Sequence, residues 1–316
     1  MFNYAKRDVE IHYDEHTLSK AQYRPFNLTN VYTGDGMIHR RGQMDEIFPT
    51  SSKENLLICV SGIGGSKESS SFIVNKIIDL NCLDAGTQCF PLYYYEEKEN
   101  IQGNLFDQGQ DKYIRRDGIT NFIFDRVKKL YGEYFTKEDI FFYVYGFLHL
   151  PKYRTEFAAD LKKSLPRIML VDNLLDFEKI SKAGRALADI HLHYEDQPPT
   201  EGVVVEGAES GNFAVTKLKF KSKDDKSTLI YNKDITIKNI PDAAHTYIVN
   251  GRSPLEWIID RYQVKTDSKS GILNDCNKWG EEHGNPRYIL DLILSCITVS
   301  IKTQEIVDSL PDINFE

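Results

Sequence analysis

Cysteine is scarce in this sequence: five in 316 residues, at positions Cys59, Cys82, Cys89, Cys276 and Cys296. The count is odd and no two stand at Cys-x-x-Cys spacing, so neither a disulfide framework nor a zinc ribbon is expected, and buried free thiols are the default. Positive charge is not in excess either. The 39 Lys and Arg residues face 47 Asp and Glu, a net charge of −8, which excludes a uniformly basic nucleic-acid binder. Long apolar runs are missing as well. The longest nearly uncharged stretch is 140–150, well short of the ~18–20 residues a membrane span needs. The opening MFNYAKRDVE carries charges where a secretory signal would place its apolar segment, so a cytoplasmic protein without membrane contact is expected.

What is present is ordinary globular material. With 41% apolar, 12% aromatic and 27% charged residues, the chain is expected to fold into two or three packed units. The first part is turn-rich. Its apolar runs Asn55-Leu-Leu-Ile-Cys-Val60 and Cys89-Phe-Pro-Leu-Tyr-Tyr-Tyr95 read as buried strands bounded by Gly, Ser and Pro. From about residue 119 the period becomes helical, with Ile119, Phe122, Ile123, Val127 and Leu130 on one face. Thr136 and Asp139 resemble a capping box ahead of the apolar run 140–150. Pro151 suits the first turn of a further helix carrying Tyr153, Phe157, Leu161 and Leu165, and Pro166 stops it. A long amphipathic helix is predicted over 172–194. After Thr200 the period falls to two, with strands predicted at 202–206, 213–220, 227–231 and 235–237 in an antiparallel sheet. Helices starting at Ser253-Pro254 and Pro286 close the chain. The expected fold class is α+β: a β-rich N-terminal lobe (1–110), a central helical section (111–200) and an antiparallel β-rich C-terminal lobe with terminal helices (201–316).

Several patterns imitate catalytic motifs and fail on spacing. Gly62-Ile-Gly-Gly-Ser-Lys67 follows a predicted strand, but Lys67 is followed by Glu68, and a Walker loop needs four residues before its Gly-Lys-Ser/Thr end. It reads as a flexible surface loop. His191 and His193 lie two apart on a helix, where side chains diverge by about 200°, too far to close on one metal. Asn285-Pro-Arg-Tyr288 is similar to the Asn-Pro-Pro-Tyr loop of amino-methyltransferases, yet Arg287 takes the second proline's place and Pro286 is well placed to start a helix. No His-Glu-x-x-His or Gly-x-Ser-x-Gly occurs. No catalytic residue, metal ligand or cofactor is assigned.

The sharpest local signal is Lys217-Leu-Lys-Phe-Lys-Ser-Lys223. As a strand it places Lys217, Lys219, Lys221 and Lys223 on one face, opposite Leu218 and Phe220. Over 214–238 seven lysines, Lys226 among them, face three aspartates, a local +4. Two readings stand. The lysines protect an exposed edge strand from pairing with other chains, or they track a nucleic-acid backbone. In the second, Arg252, Arg261, Lys265 and Lys269 add phosphate or base-edge contacts, with Asn250 and Asn274 as amide readers of adenine.

The segment Tyr145-Gly-Phe-Leu-His-Leu-Pro-Lys-Tyr-Arg-Thr-Glu-Phe-Ala-Ala-Asp-Leu-Lys-Lys-Ser-Leu-Pro-Arg-Ile168 strongly resembles the C-terminal specificity region of type ISP restriction-modification enzymes. So do Gly184-Arg-Ala-Leu-Ala-Asp-Ile-His-Leu-His-Tyr194 and the run from Val249-Asn-Gly-Arg-Ser-Pro to Lys265-Thr266. Gln22-Tyr-Arg-Pro-Phe26 and Phe90-Pro-Leu-Tyr93 extend the likeness to almost the whole chain. One departure is at Val60-Ser-Gly-Ile-Gly-Gly65, where the resemblance calls for Arg or Gln after Val-Ser; a base-reading role for that loop is not carried over. The resemblance implies a non-catalytic, sequence-specific duplex-DNA recognition module, with double-stranded DNA and the methyltransferase and helicase portions of a parent enzyme as partners. The alternatives are a degenerate or partial adenine methyltransferase and a structural or protein-interaction domain.

Overall fold

The computed structural model describes residues 12–34, 36–38, 41–50, 52–98 and 111–315. The expected boundary near residue 110, with Gly103 and Gly109, falls in the stretch 99–110 and lies outside the described residues. Among the described residues no helix is long and apolar enough to cross a membrane.

The N-terminal part begins with a hairpin of β1 (Leu18–Arg24) and β2 (Asn27–Tyr32), turned at Phe26 with φ +57°. The short helix α1 (Met44–Ile47) follows, then β3 (Leu57–Val60), β4 (Ser71–Val74), β5 (Ile77–Ile78) and β6 (Gln88–Pro91). β3 pairs antiparallel with β4 on one side and β6 on the other, while β5 joins β1 in parallel. The single strand expected over 89–95 is divided: β7 (Tyr93–Glu97) leaves the sheet to pair with β8 (Tyr113–Asp117). The division comes from Asn55, whose side chain takes both the Tyr93 N–H (3.1 Å) and the Tyr93 carbonyl (2.6 Å), so that residue cannot continue the β3–β6 ladder.

The middle part is helical as expected: α2 (Asn121–Tyr131), α3 (Lys137–Phe147), α4 (Pro151–Glu156), α5 (Ala158–Leu161) and α6 (Leu174–Leu192). The capping box is real, with Thr136 accepting from the Asp139 N–H and Asp139 accepting from the Thr136 N–H. Two helical details depart from the periodicity. On α2 only Val127 and Tyr131 are buried, while Phe122 (77% exposed) and Leu130 (54%) face out. Burial is deepest at its C-terminal end, where Tyr131 stacks on Phe177 and donates to the Val171 carbonyl, while Phe124 packs half-buried against the same core. The helix expected after Pro151 is broken at Phe157, whose backbone is not helical, leaving two short pieces that still bury Tyr153 and Leu161.

The last part holds the sheet β10 (Lys219–Phe220), β11 (Leu229–Ile230), β12 (Thr236–Lys238) and β9 (Val204–Glu206), in that order and antiparallel throughout. α7 (Pro254–Arg261), with a Ser253/Glu256 capping box, leads into a small hairpin of β13 (Lys265–Thr266) and β14 (Leu273–Asn274). α8 (Asn277–Glu282) and the long α9 (Tyr288–Asp308) follow.

β3 joins the parts because all four of its residues are buried. Its alternation sends Leu57 and Cys59 into a core made with the C-terminal sheet, α7 and α9, and Ile58 and Val60 into a second core made with α2, α3 and α6. A strand covered on both faces reads as an unbroken apolar run, which is how the sequence presents it.

Where the two cores meet, buried polar groups tie three helices. His191 of α6 pairs with the Tyr145 hydroxyl of α3 (2.7 Å) through Nδ1 and with Thr303 of α9 (2.9 Å) through Nε2, and its ring stacks on Tyr247. His149 stands beside it, its Nδ1 2.8 Å from the Tyr145 carbonyl. Burial pushes the His149 imidazole down to about 4 against an ordinary 6.5, the carbonyl bond opposing it, and burial lowers His191 in the same sense. The unfolded chain therefore takes up protons that the folded chain refuses between pH 6.5 and 4, and stability present above that window is lost as pH falls through it. Unfolding free energy is expected to drop by about 2 kcal/mol between pH 7.5 and 5 from His149 alone. Urea titrations at those two pH values check this, and equal midpoints would contradict it.

Candidate nucleic-acid interface

The lysine run lies at the sheet's edge, but it is less regular than its sequence. Only Lys219 and Phe220 make the ladder, and the strand expected over 213–220 is reduced to those two residues. The reason is that side chains have taken the backbone partners upstream. Asn277 holds the N–H and carbonyl of Val215 (2.8 and 3.0 Å), Gln263 holds those of Leu218 (3.3 and 2.6 Å), and Asn232 takes the carbonyls of Asn212 and Ala214. The alternation survives: Leu218 is buried and Phe220 half-buried, while Lys217, Lys219, Lys221 and Lys223 are exposed.

Ion pairing sorts these cations. Lys221 pairs with Asp225 (3.1 Å) and Lys226 with Glu256 (2.8 Å). Lys217, Lys219 and Lys223 have no carboxylate partner among the described residues. The Gln263–Leu218 bonds bring this edge against the end of α7, where Arg261 and the β13–β14 hairpin begin. Arg252 and Arg261 converge on one carboxylate, Asp260, with Arg252 at 2.9 Å and its guanidinium 5.0 Å from the Trp257 ring. Burial works against ionisation of Asp260, and the two arginines outweigh it, holding the carboxyl below its usual range. Two cations on one anion leave a net positive patch. Lys265, Lys269 and Asn274 stand exposed on the hairpin, whose turn is fixed by Asp267 accepting from Lys269 and Ser270.

Asn250 does not belong to this surface, and its expected role as an amide reader is corrected. It is 5% exposed, adopts φ +52°, and spends its side-chain oxygen on the Asp84 N–H (3.0 Å), while its own N–H donates to Ser70 (2.8 Å). Its partners lie more than 160 residues upstream, so no local pattern could expose the role.

The same contact overturns the flexible reading of 62–67. The glycine-rich turn does cradle an anion with backbone amides, as such turns do, and the anion is the chain's own Asp84. Its carboxylate accepts from the Ser66 N–H (2.6 Å), the Ser66 hydroxyl (3.0 Å) and the Lys67 N–H (3.0 Å). Burial opposes its charge, and these bonds together with one from Ala85 win, lowering its pKa. Lys67 then reaches the Asn250 carbonyl (3.2 Å). Asp84→Ala is expected to cost about 2 kcal/mol, the value of hydrogen bonds to a charged group. Trypsin should then cut after Lys67 far sooner than in the parent chain; unchanged digestion would show that the turn holds itself.

Asn285-Pro-Arg-Tyr288 is structural. The Asn285 side chain accepts from the Arg287 N–H (3.0 Å), and the Tyr288 hydroxyl donates to Glu195 (2.6 Å). Among the described residues no group of three or more His, Cys, Asp or Glu side chains is placed to hold a metal ion. A second set of cations, Arg154, Lys162, Lys163 and Arg167, lies within 151–168, where helical spacing rather than charge dominates the pattern; the Gly64 N–H donates to the Lys162 carbonyl (2.9 Å).

Residues 1–292 match the family described as the Type ISP C-terminal specificity domain. The chain belongs to that family. Its fold is also similar to that of solved members. A structure described as the ATP-dependent Type ISP restriction-modification enzyme LlaBIII bound to DNA is 39% identical with TM-score 0.88, over 100% of this chain and 20% of that one. A nuclease-deletion mutant of the Type ISP enzyme LlaGI in complex with a DNA substrate mimic is 37% identical with TM-score 0.82, over 99% and 26%. A DrdV–DNA complex shares the fold at 24% identity and TM-score 0.81, over 98% and 30%. No curated protein matches the chain. The specificity domain thus spans a fifth to a third of the chains it resembles.

Proposed function

We propose that this specificity domain recognises a particular duplex-DNA sequence and presents it to methyltransferase and translocase portions of a type ISP enzyme, without catalysing a step itself. The observation that carries the reading is likeness over 100% and 99% of this chain, at 39% and 37% identity, to parts of two enzymes whose structures are described in complex with DNA or a DNA mimic. The surface chemistry supports it. Lys217, Lys219 and Lys223, without a carboxylate partner among the described residues, would provide phosphate contacts that position a duplex, and the adjoining Arg261, Lys265, Lys269 and Asn274 would offer further donors. A net charge of −8 weakens long-range steering, and tethering to a translocase compensates by effective concentration. A cytoplasmic location is what such a partner would require.

Incubating the purified chain with a random duplex pool across a salt series, and sequencing the bound fraction, tests this. Salt-sensitive binding with one enriched motif is expected. Retention of all sequences alike would remove the recognition role, and no retention by a folded protein at low salt would remove independent binding.

A further inference from the structure

A cleft of about 490 Å³ opens between the loop before β4, helices α4 and α5, the turn at 246–248 and the end of α9. That volume lies within the range of small-molecule sites. Thr155, Thr246, Thr303 and Gln304 of its lining are already hydrogen-bonded, whereas Tyr247, His149 and Arg154 keep bonding capacity in reserve. The Tyr247 hydroxyl is buried and meets no hydrogen-bond partner among the described residues, an arrangement that costs stability unless something else pairs with it. His149 is 3% exposed and donates its Nδ1 proton to the Tyr145 carbonyl, since a carbonyl only accepts; its Nε2 is therefore an acceptor. Arg154 makes one long bond, to the Ser69 carbonyl (3.4 Å), and pairs with no carboxylate among the described residues. His149, Arg154 and Tyr247 all line this one cleft. Lys162 adds a second cation at the rim, against Glu68 as the one carboxylate of the lining.

We propose that this cleft binds a small phosphate ester of mononucleotide size, its phosphate on Arg154 and Lys162 and its organic body on Tyr247 and His149. Two cations against one carboxylate select an anion, and Arg154 offers the planar donor fork that suits a phosphate. The Nε2 acceptor and the idle phenol select a body bearing a hydroxyl or amino donor. A free nucleotide and a nucleotide of a DNA strand share this chemistry. The proposal stands apart from the recognition role, because the free-nucleotide arm reads out even if the chain binds no duplex.

Calorimetric titration of the full chain with adenosine monophosphate, ribose 5-phosphate and inorganic phosphate tests it. Saturable binding of the monophosphate is expected, tighter than inorganic phosphate, with at least a tenfold loss in Arg154→Gln and in Tyr247→Phe. Tyr247→Phe removes a hydroxyl that has no partner among the described residues, so the unliganded variant should melt no lower than the parent; a purely structural tyrosine would not weaken binding while sparing the melting temperature. If Arg154→Gln fails to fold, Tyr247→Phe and Lys162→Gln carry the test. Displacement of the bound monophosphate by duplex DNA would identify the strand as the source, and simultaneous binding the free nucleotide. No saturable binding at millimolar concentrations, equal affinity for inorganic phosphate alone, or affinity unchanged in the variants would overturn the proposal.

Discussion

Replacing Lys217, Lys219 and Lys223 together by alanine is expected to weaken duplex binding on the order of a few hundredfold at ~0.1 M salt, by the same factor on every sequence. Each phosphate contact contributes about 0.9 to the slope of log affinity against log salt, so losing three should flatten that slope by about 2.7. The three were chosen because none has a carboxylate partner among the described residues, whereas Lys221 is held by Asp225 and Lys226 by Glu256. Lys221→Ala alone should therefore do less. The enriched motif should not change, since phosphate contacts position a duplex without reading it. Anisotropy titrations at four salt concentrations give both numbers. The edge-protection reading makes the opposite forecast: unchanged affinity, and self-association through the uncovered β10 edge visible by sedimentation.

Gly184→Ala is expected to destabilise the protein by at least about 3 kcal/mol, at the upper end of overpacking effects, and to lower the melting temperature by roughly 4 to 5 °C or more. α3 and α6 meet through a reciprocal pair of glycines. A Cβ on Gly184 would overlap the Phe142 carbonyl, and one on Gly146 would overlap the Ile180 carbonyl. The obstacles are helix backbone, not the far ends of flexible side chains, so accommodation requires the two helices to separate. Separation would pull Tyr145 from His191 and open the buried histidine pair. Denaturant unfolding of the single variant and of Gly146→Ala together with Gly184→Ala measures it. A loss below about 0.5 kcal/mol would mean the helices slide apart at no cost.

Much of the local structure was legible. The Thr136/Asp139 capping box, the helix starts near Ser253-Pro254 and Pro286, the long helix ending near Leu192 and the buried strand β3 stand where the pattern placed them. The α+β class holds, with small antiparallel sheets before and after the helices. The lysine run announced its charge but not its shape, because alternation is the same whether backbone partners come from a neighbouring strand or from the side chains of Gln263, Asn277 and Asn232. Asn250 had the right chemistry for reading a base and is used instead to clip a loop. The loop at 62–67 looked loose because its anchor, Asp84, lies 17 residues further on from Lys67.

The sequence by itself determined what depends on neighbours within a few residues: where helices start and that charge is gathered at 214–238; of the two runs that read as buried strands, only 57–60 is buried throughout, and 89–95 is mostly half-exposed. Its wording over 145–168 and 249–266 also carried the family. Only the tertiary structure decided which cations are unpaired, which asparagine is free, and which histidine, tyrosine and arginine share a cleft. The physical reason is that a capping bond is made between groups already adjacent in the chain, whereas a salt bridge, a buried hydroxyl or a borrowed carboxylate exists only once packing has brought distant segments together.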